Sequence, residues 1–330
     1  MLRGVSTTTH PAVPAEATIA PPETGPLFIV INAGSGRGNS GATSATIAAV
    51  LEAAGREHQL LVVEDPRQLQ ATAEHAVALA RAACGVVVAA GGDGTLNTVA
   101  QAVLGSGCAF GVLPQGTFNY FGRAHGIPTD TAEATRLLLT ARARPVQVGL
   151  VNDKIFLVNA SLGLYPQLLE DREAWKRRLG RSRLVAFGAA LATLLRAHRR
   201  LRLRIEHGER ASSVRTPTLF VGNNRLQMEQ IGTAQAFDEG RLAGIMLRPV
   251  GALGMLWLVL RGALARLGDA DKVTAFGFDS LSVAESRFRA RRRFKVATDG
   301  EVVRLTPPLV FRVSTEPLWL LAPDPAPRAP

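Results

Sequence analysis

The sequence predicts two domains, an α/β domain built on a parallel sheet and, after it, a strand-rich antiparallel domain. Three observations carry this. Between Leu27 and Thr140, apolar β-prone runs alternate with helical stretches, the rhythm of a parallel sheet covered on both faces. Glycine-rich loops follow three of those strands, on the edge where such sheets bind ligands. From about residue 144 the alternation stops, and strand-like runs succeed one another, many across turns carrying Gly, Asn or Asp. That is the pattern of an antiparallel sandwich or barrel.

Residues 1–26 are rich in Thr, Pro and Ala, show no hydrophobic periodicity and lack the apolar segment of a signal peptide; they read as a disordered tail. Leu27–Asn32 is a buried-strand run that enters Ala33, Gly34, Ser35, Gly36, Arg37 and Gly38, with a helix over 40–54 behind it. His58–Val63 is the second strand, Arg67–Ala83 a helix, and Gly85–Ala90 the third strand. Gly91–Asn97 follows it and opens a helix that runs to Leu104. Ala109–Leu113 is the fourth strand, and a helix over 131–140 closes a first domain spanning 27–143. In the second domain, 144–330, strands are expected at Val146–Leu150, Lys154–Ala160, Leu201–His207, Leu219–Gly222, Leu242–Arg248, Val273–Ala284, Phe294–Thr298 and Leu309–Val313. Two helical insertions interrupt them, over 170–197 and 251–267.

Composition bounds the function. With 330 residues, 47% hydrophobic and 20% charged, the chain has ample material for two cores. A net charge of +11 favours anionic partners: nucleotide phosphates, nucleic acid or an acidic membrane surface. Cys84 and Cys108 form no disulfide framework or zinc pattern, which points to a reducing cytosol. The most apolar late runs, Leu184–Leu195 and Val250–Leu260, are shorter than a bilayer span and flanked by arginines.

The chemistry lies in the loops. Gly91, Gly92, Asp93 and Gly94 follow a β-branched strand and open a helix. Absent side chains let a phosphate approach there, and the helix start offers free N–H groups. Asp93 puts one carboxylate in that loop, suited to Mg²⁺ or a substrate hydroxyl. Gly36–Gly41 matches the dinucleotide fingerprint, with Glu64 and Asp65 ending the second strand. That reading leaves Gly91–Gly94 without a role, and one such match is weak among 32 glycines. A Walker A loop fails because Ala42 stands where lysine belongs.

Three loops occur in order, each after a strand: Asn32-x-x-Ser35-Gly36, then Gly91–Asn97, then Leu113-Pro114-x-Gly116-Thr117-x-Asn119. With Asp238–Leu242 and Asp299-Gly300-Glu301 further on, the chain resembles the diacylglycerol kinase catalytic family over residues 27–322. That family includes bacterial lipid kinases and the sphingosine and ceramide kinases. The resemblance implies an NAD-kinase-like α/β domain with a parallel sheet, a carboxy-terminal antiparallel β-sandwich domain whose last strand returns to the first domain, and ATP in the cleft between them. It implies that Asn32, Ala33, Gly34, Ser35, Gly36, the residues Gly91, Gly92, Asp93, Gly94, Thr95, Leu96 and Asn97, and Thr117 line the nucleotide. Asp299 and Glu301 then supply carboxylates near the acceptor hydroxyl. A structural Mg²⁺ site, built largely from backbone oxygens, falls on Ala236, Glu239 and Arg241.

Phosphoryl transfer needs phosphate positioning, charge neutralisation by Mg²⁺ and a group that accepts the hydroxyl proton. The glycine loops meet the first need, Asp93 with Mg²⁺ the second, and Glu301 with Asp299 assisting the third; the sequence does not separate these two acids. Asp299-Gly300 also reads simply as a hairpin turn. Four positions depart from the family pattern: Ala33 in place of proline, Tyr120 in place of Asp, Thr98 in place of Glu, and Arg241 at the metal site.

Basic tracts at Lys176–Arg183, Arg196–Arg204 and Arg287–Lys295 fit a solvated face, nucleic acid or an anionic membrane. No nucleic-acid motif accompanies them, so nucleic acid is not expected. Membrane docking explains the tracts together with the apolar run Leu184–Leu195. The expectation is a cytoplasmic, peripherally membrane-bound, ATP- and Mg²⁺-dependent lipid kinase acting on diacylglycerol, with oligomeric state, including a homodimer, left open. The alternatives are a sphingoid-base or ceramide kinase, an NAD kinase-like enzyme, and a non-catalytic lipid- or nucleotide-binding protein of the same fold.

Overall fold

A computed structural model describes residues 21, 23–34, 40–163, 201–207, 210–230, 240–247, 273–285 and 293–324. The expected helices over 170–197 and 251–267 lie outside these residues, as do Ser35, Gly36, Ala236, Glu239 and most of the basic tracts.

The first domain is one six-stranded sheet with helices on it. Its strands are β1 (Leu27–Asn32), β2 (His58–Val63), β3 (Val86–Gly91), β4 (Ala109–Pro114), β5 (Arg142–Val146) and β18 (Leu318–Ala322), in the order β2-β1-β3-β4-β18-β5. All neighbours pair in parallel except β5 with β18. Every residue of β3 and β4 is buried, as expected of a strand covered on both faces. Helices α1 (Ser40–Ala53) and α5 (Thr131–Thr140) pack together, as do α2 (Leu69–Ala82) and α3 (Asp93–Val103). In α2 the buried Leu69, Ala73, Ala76 and Ala80 recur at helical spacing and form its apolar stripe. Helix α5 starts at Asp130, whose carboxylate accepts from Glu133 N at 2.9 Å. Strand order reverses between β1 and β3, so the loops after these two strands flank a natural crevice.

The second domain has two antiparallel sheets. One is ordered β10 (Arg210–Thr216), β9 (Leu201–His207), β14 (Ser280–Glu285), β17 (Leu309–Val313), β6 (Gly149–Val151) and β7 (Lys154–Phe156). The other is β13 (Val273–Phe278), β12 (Leu242–Leu247), β11 (Thr218–Gly222), β8 (Asn159–Gly163), β15 (Phe294–Thr298) and β16 (Glu301–Leu305). Leu203, Leu281, Val283, Leu309 and Phe311 from one sheet meet Leu162, Leu219, Val221, Leu242 and Val296 from the other in one core. The domain is a sandwich, and the barrel alternative is set aside.

Several boundaries differ from expectation. The first sheet extends to Val146, because Arg142–Val146 pairs with the returning β18 and Gln147 is where the chain leaves for the second domain. Lys154–Ala160 and Val273–Ala284 each divide between the two sheets, since an apolar run continues through a strand that changes layer. Strand β10 is too polar to stand out in the sequence. Of the expected tail, residues 1–20 and 22 lie outside the described residues, and Glu23 is held against the first domain: its Oε1 accepts from Ala143 N at 2.6 Å and its backbone O from Arg56 Nη2 at 2.6 Å. Among the described residues, no helix is long and apolar enough to cross a membrane.

Candidate active site

The loops after β1, β3 and β4 are bound to one another. Asn32, ending β1, donates from Nδ2 to Thr95 Oγ1 at 3.0 Å, and its Oδ1 accepts from Gly34 N at 3.1 Å. Gln115 N donates to Gly91 O at 2.8 Å. Asn119, at φ +48°, closes the third loop on itself: its Oδ1 accepts from Gly116 N at 2.8 Å and its Nδ2 donates to Gly116 O at 3.0 Å. Of the residues expected around the nucleotide, Thr117 is exposed beside these loops and Ala33 and Gly34 lie at the crevice edge. Leu96 turns its side chain into the core, and the Thr95 hydroxyl faces Asn32.

Asp93 is the first residue of α3. Burial pushes its carboxyl up from the ordinary value, and the N–H groups of Phe121, Tyr120 and Asn119 draw it back. These belong to the start of α4 (Tyr120–Ala124), where an anion is favoured. Its Oδ1 is buried with no hydrogen-bond partner among the described residues. A buried carboxylate oxygen left open at a phosphate-type loop fits a cation or a cation-bound phosphate.

The two acids of the late motif have different surroundings. Asp299 and Gly300, at φ +47° and +91°, form the two-residue turn between β15 and β16, a conformation that suits an Asp-Gly pair. The Asp299 carboxylate turns inward. Its Oδ2 accepts from Asn97 Nδ2 and Leu157 N, each at 2.7 Å, and its Oδ1 from Val158 N and Asn159 N, each at 2.9 Å. Burial raises its pKa to about 6, and these donors oppose a further rise. At neutral pH it is an ionised clamp that joins α3 to the second domain. Asn97 Nδ2 also donates to Ile155 O at 3.1 Å, while Gln101 Oε1 accepts from Ile155 N at 3.0 Å. The phosphate-loop helix is thereby pinned to β7.

Glu301 emerges two residues later. The residue as a whole is exposed, yet its side chain lies against the start of α3: a methyl group on Gly94 would come within 2.7 Å of Oε1. Burial there pushes the carboxyl up, and the Lys154 ammonium opposes it. The structure therefore brings Asp93, Gly94, Asn97, Asp299 and Glu301 together. Arg241 stands apart from them: its carbonyl accepts from Gln147 Nε2 at 3.1 Å, and its guanidinium donates to Gly277 O at 3.0 Å and lies 3.3 Å from Asp279 Oδ1. Sequence reasoning did not single out Gln101, Gln147 or Asn223. Their amides carry no charge and belong to no motif, so only their contacts reveal them.

The structure is a glycine-loop α/β domain clamped to an antiparallel sandwich, with Asp299 and Glu301 both reaching helix α3 at the junction. Residues 26–151 match the diacylglycerol kinase catalytic domain. It is 43% identical over 121 residues to "Probable lipid kinase YegS-like" of Pseudomonas aeruginosa, covering 36% of this chain and 38% of that protein. It is 46% identical over 79 residues to the protein of the same description from Klebsiella pneumoniae, covering 23% and 27%. The matched stretches thus span well under half of these relatives. The fold is that of a diacylglycerol kinase from Bacillus anthracis, with 16% identity and a TM-score of 0.64 over 90% of this chain and 97% of that one.

Proposed function

We propose that the chain is an ATP- and Mg²⁺-dependent lipid kinase that transfers the γ-phosphoryl group to a lipid hydroxyl, with diacylglycerol as the first acceptor to test. The observation that carries this is the seat of the Glu301 carboxylate against Gly94, at the opening of the phosphate-loop helix. A carboxylate there reaches a hydroxyl presented to a phosphate held by the loop, and its raised pKa makes it a better proton acceptor than an ordinary glutamate. Asp299 is a positioning residue in this reading, because four donors occupy its two oxygens. Asp93 is the residue to hold Mg²⁺, through the oxygen that has no hydrogen-bond partner among the described residues. When bound, Mg²⁺ neutralises phosphate charge.

The names of the relatives support lipid as the acceptor class. Peripheral membrane attachment through the basic tracts belongs to the same proposal. The test is transfer from γ-labelled ATP to a panel of lipids in mixed micelles, with NAD⁺ in a parallel tube. A labelled lipid that disappears with Glu301→Gln, while ATP binding persists, is the expected result. Label in NAD⁺ alone, or full turnover by Glu301→Gln, would sink the reading.

A further inference from the structure

The first crossing between the domains runs through Gln147, between β5 and β6, and its side chain is saturated with contacts. Its Oε1 accepts from Gly240 N at 2.7 Å. Its Nε2 donates to Asn223 Oδ1 at 2.7 Å and to Arg241 O at 3.1 Å. Asn223, buried after β11, donates in turn from Nδ2 to Gln147 O and Leu157 O, each at 3.1 Å. Two neutral amides thus tie the 240–241 turn to the crossing and to the strand end beside the Asp299 clamp.

The orientation of the Gln147 amide is dictated. Gly240 N–H can only donate, so the group facing it must be the oxygen, and the NH₂ then faces Asn223 and Arg241. Reversing it would set a donor against Gly240 and an oxygen against two oxygens. The Arg241 carbonyl is one of the oxygens that the family pattern assigns to a structural Mg²⁺. Here it meets the positively polarised hydrogens of an amide. A hard dication needs oxygen lone pairs converging on it, and the lone pair that faces Gln147 is taken by an N–H whose partial charge opposes the ion. The Arg241 end of that site does not fit the ion.

We infer that in this chain the Gln147 amide, and not a divalent cation, ties the 240–241 turn to the domain crossing. This turn then holds its place without divalent metal.

The test is thermal melting of the nucleotide-free full chain in excess EDTA and in Mg²⁺ at matched ionic strength, so its outcome does not depend on kinase activity. The wild type should melt within about 1 °C in the two buffers. Gln147→Ala should melt about 2–6 °C lower, equally in both, from the loss of buried hydrogen bonds. Gln147→Glu places an oxygen where the donor was, beside Asn223 Oδ1 and Arg241 O, and its melting should rise by several degrees with Mg²⁺. A wild-type drop of several degrees in EDTA that Mg²⁺ restores and that persists in Asp93→Asn would overturn the inference. So would a Gln147→Ala that melts like the wild type.

Discussion

Asp299→Asn keeps the size and shape of the side chain, so no cavity forms and the effect is one of hydrogen bonding and of the buried charge. Each carboxylate oxygen accepts two donors: Asn97 Nδ2 and Leu157 N on one, Val158 N and Asn159 N on the other. The new NH₂ must stand in one of these places. Opposite Val158 and Asn159 it meets two backbone N–H groups that cannot turn. Opposite Leu157 and Asn97 it meets one such group and an amide already committed to Ile155 O. Either way two buried donors lose their acceptor, at about 1–3 kcal/mol each. The loss of a desolvated charge whose pKa burial raises to about 6 returns about 3 kcal/mol at pH 8. The net change there should lie between a gain of about 1 and a loss of about 3 kcal/mol. The assay is urea unfolding followed by circular dichroism at pH 8, where Asp299 is ionised. The pH matters because its folded pKa, about 6, lies above the ordinary 3.8. The folded chain therefore binds the proton more tightly, and this group adds stability below about 6 that is lost as pH rises through that value. The gap between wild type and Asp299→Asn should accordingly widen from pH 6 towards 4. A difference between wild type and Asp299→Asn that stays constant from pH 8 to pH 4 would refute the clamp, since a carboxylate buried among these donors must couple folding to its proton over that range.

Three further outcomes are expected. Gly94→Ala sets a methyl group 2.7 Å from Glu301 Oε1; the carboxylate, on a flexible stem, should swing away and turnover should fall by about 100-fold, with melting within about 2 °C of wild type. Turnover that stays within about twofold would remove Glu301 from the reaction. The acid limb of the rate profile should lie above the ordinary glutamate value, because burial raises the Glu301 pKa and only its deprotonated form accepts a proton; a limb unchanged in the residual activity of Glu301→Asp would assign it to another group. Cosedimentation with liposomes should increase with anionic lipid and decrease with salt, and binding indifferent to both would exclude docking through the basic tracts.

Much of the molecule was legible along the chain because its signals are local. The β1, β3 and β4 runs are apolar throughout, which only a doubly covered strand requires, and each delivers its loop to the same edge. The Asp299-Gly300 pair announced a tight hairpin, and the turn angles at those residues are of that kind. Strand boundaries in the second domain were less legible. A run such as Val273–Ala284 reads the same whether it stays in one sheet or crosses to another.

The sequence by itself determined the order of the three glycine loops, the α/β-then-antiparallel architecture and the nearness of Asp299 and Glu301 in one hairpin. Only the tertiary structure decided what each acid touches, because that depends on partners far away in the chain. Asn97 and Leu157–Asn159 converge on Asp299 and commit both of its oxygens, while Gly94, lacking a side chain, leaves room for the carboxylate of Glu301. Adjacent acids in a hairpin look alike in one dimension. Their chemistry is set by the count of N–H donors that reach each one, and packing alone fixes that count.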